Sequence, residues 1–325
     1  MKTIVNLVDD YRPGGIRSLL EDMRAAFQTP AYDWRVVECD SSALPSMPRS
    51  TDTFVVHYSM AWRKLPSLLL LRLQHPRARI VIVEHHYTRS YDSKSDTHSR
   101  RLRILLRHAY RLADQVVAVS RAQKQWLLEN KLTRKNKLVG IPACRDYARF
   151  LALPPPTLDG DHIVIGAIGR LAPAKGFDVL IDALDLLPTN RFRLKIAGDG
   201  DEAENLRKQA ANRNDIEFVG HIDDPSSFVQ DCDIIAVPSR QEAFGLVCAE
   251  GKAAGRPVVV SAVDGLPEQA ARCGEIVKPD CAVSLANAIE RVSEPNTHSL
   301  LSSRARESMR DAWPNYIRQW SRLLA

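Results

Sequence analysis

Over the first 150 residues, short runs of aliphatic and β-branched residues alternate with stretches whose apolar positions recur every three or four. The runs predict strands at residues 3–8, 34–39, 53–58, 79–85, 115–120 and 137–141. Helical periodicity fills the gaps, most clearly over 16–27 and 99–112. Such alternation implies a parallel sheet with helices on both faces. The stretch at 151–161, with three prolines and a glycine, breaks the rhythm and reads as an interdomain linker.

Beyond it the same grammar restarts. Strands are expected at 162–168, 193–197, 216–219, 233–237 and 257–261, and a short apolar run at 274–277 adds a last one. The architecture repeats although the sequence does not. Residues 311–325 are amphipathic, with Trp313, Tyr316 and Trp320 at helical spacing, and predict a terminal helix. The expected division is therefore 1–152, 153–310 and this helix at 311–325. Doubly wound α/β domains hold ligands at the carboxyl ends of their strands, so the active site is expected in an interdomain cleft.

Composition narrows the class. A chain of 325 residues, 45 % hydrophobic and 26 % charged, is globular and large enough for two domains. Its six cysteines show no paired spacing and several lie in apolar runs, which predicts reduced thiols in a cytoplasmic protein. The N-terminus reads as a strand followed by acids, not as a signal peptide. The longest apolar cluster, 65–73, is interrupted by Pro66 and Arg72 and is too short to cross a bilayer.

Charge is placed unevenly. Residues 1–155 hold 26 Lys and Arg against 14 Asp and Glu, a surplus of 12. The rest holds 19 against 25, a deficit of 6. The surplus concentrates at 99–112, where Leu102, Leu105, Leu106 and Ala109 fall on one side of a helix. Arg100, Arg103, Arg107 and Arg111 form a separate stripe. With Trp62, Arg63, Lys64 and Leu65 close in sequence, the mixture suits an anionic membrane surface. It also fits a core-facing helix with a solvated basic face. No nucleic-acid-binding motif accompanies the charge.

Candidate chemistry centres on Ser239–Glu250, Ser-Arg-Gln-Glu-Ala-Phe-Gly-Leu-Val-Cys-Ala-Glu. The segment reads as strand end, loop and helix, with Glu242 in the loop and Glu250 in the helix. The amides of Phe244, Gly245 and Leu246 would crown that helix, and a helix start of this kind binds phosphate. Two carboxylates beside a phosphate site suit a nucleotide sugar. The two glutamates around Ala-Phe-Gly resemble the signature of the retaining glycosyltransferases of family 4. The same family is resembled by Gly-Arg-Leu at 169–171 followed by Lys-Gly-Phe-Asp at 175–178. Arg170 offers a fork and Lys175 a point charge to one diphosphate.

The resemblance implies a GT-B fold, an α/β architecture of two Rossmann-like domains, with the last helix crossing back to the first domain. It implies that Glu250 bonds the ribose and Glu242 the transferred sugar beside the reacting face. Gly14 and Gly15, after the first strand, resemble the glycine loop that approaches the donor phosphate. His85, ending the run Val-Ile-Val-Glu-His, is the closer match to a family histidine near the donor sugar. A bond from that ring to a loop carbonyl is the structural alternative. Ile222 lies in a loop that resembles the one near the nucleotide base. At 142–146 the chain keeps Pro142 and Asp146 but has Ala143-Cys144 where the family usually shows Asn-Gly.

Three aspartate pairs, 159/161, 199/201 and 231/233, look like metal sites for a diphosphate. They fall in turns or at the start of a strand, where aspartate is ordinary. With Arg170, Lys175 and the helix start at hand, no metal or other cofactor is expected. The implied function is retaining transfer of a sugar from a UDP- or GDP-sugar to a glycan or lipid-linked acceptor, by a cytoplasmic enzyme peripheral to a membrane. Two rivals are a sugar-nucleotide 2-epimerase of GT-B fold and a non-catalytic nucleotide-sugar-binding subunit.

Overall fold

Twelve parallel strands form two six-stranded sheets among the residues that the computed structural model describes, 1–9, 14–39, 47–48, 50–92, 96–211 and 213–325. The first sheet contains β1 (Lys2–Val8), β2 (Tyr32–Glu38), β3 (Thr53–Val56), β4 (Arg79–Glu84), β5 (Gln115–Ala118) and β6 (Leu138–Gly140). Their order is β2-β1-β3-β4-β5-β6. The second contains β7 (Ile163–Ile168), β8 (Phe192–Ala197), β9 (Ile216–Gly220), β10 (Ile234–Val237), β11 (Val258–Ser261) and β12 (Gly274–Val277). Their order is β12-β11-β10-β7-β8-β9. Parallel neighbours need a crossover, usually a helix, which is why helices separate most strands. Central strands such as β3, β10 and β11 are buried along their whole length, as sheets covered on both faces require.

The chain divides into two units, residues 1–146 with 314–325, and residues 147–313, each with its own hydrophobic core. In the first unit the terminal helix Ala312–Leu324 buries Tyr316 and Trp320, and the Tyr316 hydroxyl meets the Met23 sulfur at 3.5 Å. The proline-rich stretch read as a linker lies inside the second unit. Two arginines hold its carbonyls: Arg256, 2 % exposed, donates to Pro154 O at 2.7 Å, and Arg306 to Leu153 O at 2.7 Å.

Two expectations change in the first unit. The strand predicted to 85 stops at Glu84, because Glu84 Oε1 accepts the amides of His86 and Tyr87 (2.8 and 2.9 Å) and turns the chain. The basic stripe is not uniform either. On the helix Asp96–Leu112, Leu102, Leu105, Leu106 and Ala109 are buried, as the periodicity predicts. Arg103, however, donates to the buried carboxylate of Asp92 at 2.8 Å, and Arg107 to Asn130 O at 3.0 Å. Arg100, Arg101 and Arg111 remain on the exposed face.

Candidate functional site

In the second sheet the crossovers after β7 and β10 leave in opposite directions, so a crevice opens beyond the carboxyl ends of these two neighbours. Gly169 and Arg170 follow β7, and Pro238 to Glu242 follow β10. The two loops interlock. Gly176, at φ +66°, lies so close to the Pro238 carbonyl that a Cβ would sit 2.2 Å from its oxygen. The Arg240 amide donates to Ala174 O at 2.8 Å. The Arg240 guanidinium forks onto Asp178 (2.9 and 2.7 Å) and also reaches Asp280.

That frame brings Lys175 Nζ to 2.5 Å from Glu242 Oε2, with both side chains partly exposed. The Glu242 backbone is fixed independently of its carboxylate: its amide donates to Asp264 Oδ2, and its carbonyl accepts from Gly265, each at 3.2 Å. The helix Leu246–Ala253 then begins, capped by Gly245 at φ +90°. Gln269 Nε2 binds the carbonyls of Gly245 (3.1 Å) and Phe244. The carbonyls are thus engaged from outside, while the first-turn amides have no intrahelical acceptor. Glu250 is buried in this helix one turn after Leu246.

Arg170 is exposed and, among the described residues, has no ion-pair partner. Its loop is buttressed by the turn after β8. Leu171 N donates to Asp199 O, and Glu202 N to Leu171 O, each at 2.9 Å. Ile222 is half-buried, two residues beyond β9. Of the aspartates considered for metal, Asp233 accepts the Val164 amide at 2.8 Å and Asp199 that of Gly200 at 2.8 Å. Asp231 pairs with Lys195 at 3.2 Å. Among the described residues, no three His, Cys, Asp or Glu side chains converge.

The first sheet has its own switch point between β1 and β3. Gly14 and Gly15 lie at the start of the helix Gly15–Phe27, and residues 10–13 are outside the described set. His85 follows β4 and is partly buried. Its Nε2 lies 3.0 Å from Nδ1 of His57, a fully enclosed side chain. His57 Nε2 lies 3.1 Å from Asn6 Oδ1. Burial pushes the His57 imidazolium down to about 3. Burial, with help from the neighbouring imidazoles, also holds His85 well below the usual range. Both rings are therefore neutral at pH 7, so His85 is not a cation available to phosphate.

The structure thus brings Arg170, Lys175, Glu242, Phe244, Gly245, Leu246 and Glu250 to one strand-end region of the second unit. His85, Gly14 and Gly15 belong to the first. Sequence reasoning missed Asn6, His57, Arg240, Asp178, Asp264 and Gln269. His57 had one available signal, a histidine closing an apolar strand; for the others the partner lies far along the chain.

Residues 41–149 match the family described as Glycosyltransferase Family 4, and residues 162–294 that described as Glycosyl transferases group 1. An uncharacterised glycosyltransferase of Methanocaldococcus jannaschii is 31 % identical over 172 residues, which are 51 % of this chain and 45 % of that protein. The lipopolysaccharide core biosynthesis glycosyltransferase LpsE of Rhizobium meliloti is 32 % identical over 183 residues, 51 % of this chain and 53 % of LpsE. The chain thus spans about half the length of these curated relatives. Among solved structures, Anabaena HepE in complex with UDP superposes with TM-score 0.81 at 21 % identity, over 100 % of this chain and 99 % of HepE. The fold is therefore GT-B.

Proposed function

We propose, for a chain that belongs with the family 4-type glycosyltransferases, that it moves a sugar with retention from a nucleoside diphosphate sugar to a glycan or lipid-linked acceptor. One observation carries this reading: the switch point of the second sheet gathers Arg170, Lys175, Glu242 and a helix start. Arg170, Lys175 and the amides of Phe244 to Leu246 stabilise the departing diphosphate, the electrostatic contribution that usually dominates such a step. Glu242 bonds the transferred sugar as its anomeric carbon gains oxocarbenium character. Glu250 bonds the ribose, Ile222 borders the base through its backbone, and Gly14 and Gly15 approach the phosphates. His85 bonds the sugar. HepE, which shares the fold, has been crystallised with UDP and with UDP-glucose, and LpsE is named for lipopolysaccharide core synthesis.

A thermal-shift screen of UDP- and GDP-sugars tests the donor class. A donor at 100 times its Kd stabilises by about 2.7 kcal/mol through mass action. The cognate nucleotide sugar should raise the melting temperature, and transfer should survive excess chelator. No response to any nucleotide sugar overturns the reading. Turnover lost in EDTA and restored by Mn²⁺ or Mg²⁺ overturns its metal-free form. Release of an epimerised sugar without acceptor indicates the epimerase.

The acceptor side is proposed to dock on an anionic membrane. Helix Leu65–Gln74 exposes Leu69, Leu70 and Leu73, the last 67 % exposed, and Trp62 is 52 % exposed just before it. Helix Asp96–Leu112 packs beside it and presents Arg100, Arg101 and Arg111. Exposed leucines on one helix and exposed cations on the helix packed against it suit a headgroup layer better than either alone. No described helix is long and apolar enough to cross a membrane. Each cation adds on the order of 1 kcal/mol near such a surface, so Arg100→Gln, Arg101→Gln and Arg111→Gln together should weaken binding roughly a hundredfold. The protein should sediment with anionic vesicles at low salt and leave them as salt rises. Arg103 and Arg107 are unsuitable for this test because they hold the fold. Equal binding to neutral vesicles, or no effect of the triple substitution, would sink the idea.

A further inference from the structure

A chain of buried polar groups runs across the carboxyl ends of three neighbouring strands of the first sheet. Asn6 lies in β1, His57 directly follows β3, and His85 directly follows β4. Asn6 is 0 % and His57 1 % exposed, so each of their polar atoms has to find its partner inside the protein. The direction of the chain is set at its far end. Asn6 Nδ2 meets the Arg35 carbonyl at 3.0 Å, and a carbonyl can only accept. The other amide atom of Asn6, Oδ1, is then an acceptor, so the His57 nitrogen 3.1 Å away must carry its proton on Nε2. A neutral His57 leaves Nδ1 bare. The His85 nitrogen 3.0 Å from it must therefore donate from Nε2. A neutral His85 is left with a bare Nδ1. A charged His57 would reverse the last bond and a charged His85 would fill its bare Nδ1, and burial opposes charge on both rings.

We infer that Asn6 and His57 are positioning residues that lock His85 in the Nε2–H tautomer, so that its Nδ1 serves as a fixed acceptor for a sugar hydroxyl. This rests on the reading of His85 as a sugar-contacting residue. It adds a selectivity to it: the ring accepts a hydroxyl proton and offers neither charge nor N–H to a phosphate. Glu84 supports the same geometry by turning the chain at His86 and Tyr87, and the Tyr110 hydroxyl donates to its second oxygen at 2.6 Å.

The test is the tautomer itself. In full-length protein labelled with ¹⁵N-histidine, long-range proton–nitrogen correlations report which ring nitrogen carries the proton, and His85→Gln identifies the signals. Wild type should show His85 protonated on Nε2 alone at pH 7.5. Asn6→Asp removes the donor to Arg35 O and favours a cationic His57, whose Nδ1–H then donates to His85; the His85 tautomer should invert. The preference of that variant for UDP-glucose over UDP should fall about five- to tenfold with UDP affinity kept, the scale of one lost hydrogen bond. His57→Gln, which can both donate to Asn6 and accept from His85, should keep the wild-type tautomer, whereas His57→Leu should not. A wild-type His85 protonated on Nδ1, or a tautomer indifferent to Asn6→Asp and His57→Leu, overturns the inference. If UDP-glucose does not bind at all, the donor reading fails while the spectrum still decides the relay; if a variant does not fold, the wild-type spectrum decides alone.

Discussion

Replacing Glu242 with Gln should cut turnover about a hundredfold or more, the scale of losing one transition-state contact, while leaving nucleoside diphosphate affinity unchanged or higher. The geometry separates the two effects. The Glu242 carboxylate neutralises Lys175 at 2.5 Å. Glutamine removes that charge and frees the ammonium for phosphate. The backbone of Glu242 is held by Asp264 and Gly265, so the loop should keep its course. Partly exposed pairs of this kind contribute about 0–1 kcal/mol, so folding should survive the substitution. Lys175→Met should do the reverse and weaken diphosphate binding roughly ten- to a hundredfold, as expected for a lost charge-assisted contact of about 1.5–3 kcal/mol. Glu250→Gln should also act on binding, through the ribose, and keep turnover at saturating donor. Calorimetric titration with the nucleoside diphosphate and initial rates at saturation check all three. A Glu242→Gln protein with normal turnover and weakened binding would reverse the assigned roles.

What was legible in the sequence was local. Apolar runs separated by helical periodicity identify parallel strands because both faces of each strand are covered. The motif from Glu242 to Glu250 is a strand end followed by a helix start, and both are visible within a dozen residues. Sheet order is not local. His57 reads as one polar residue at the edge of Thr-Phe-Val-Val, and nothing nearby says that β1 and β4 will flank it. Arg240 has the same history. It lies beside Glu242 in sequence, yet its partners Asp178 and Asp280 lie 62 and 40 residues away. Periodicity likewise placed Arg103 and Arg107 on a polar face and could not show that Asp92 and the Asn130 carbonyl occupy it.

The turn Gly198-Asp199-Gly200 acquires a task only in three dimensions. Gly198, at φ +134°, sits where a Cβ would fall 1.9 Å from the Gly169 carbonyl oxygen. Neither backbone can yield freely. Gly198 N donates to Gly220 O at 2.7 Å, and Gly169 N to Ala197 O at 3.0 Å, so the ends of β7, β8 and β9 are pinned side by side. Gly198→Ala therefore meets a left-handed backbone and a backbone clash together, and should cost the second unit about 3–4 kcal/mol. Because Arg170 directly follows Gly169, the relief of that clash should displace it and lower nucleotide-sugar affinity as well. Gly220→Ala is the control: φ is +79° there, but nothing lies within 4 Å of the added carbon. Only the conformational cost remains, about 1–2 kcal/mol. Urea unfolding of the two variants, followed by a probe in the second unit, should give a clearly lower midpoint for Gly198→Ala. Equal midpoints would mean that the β7 and β8 ends can separate at little cost, and the buttress under Arg170 would not exist.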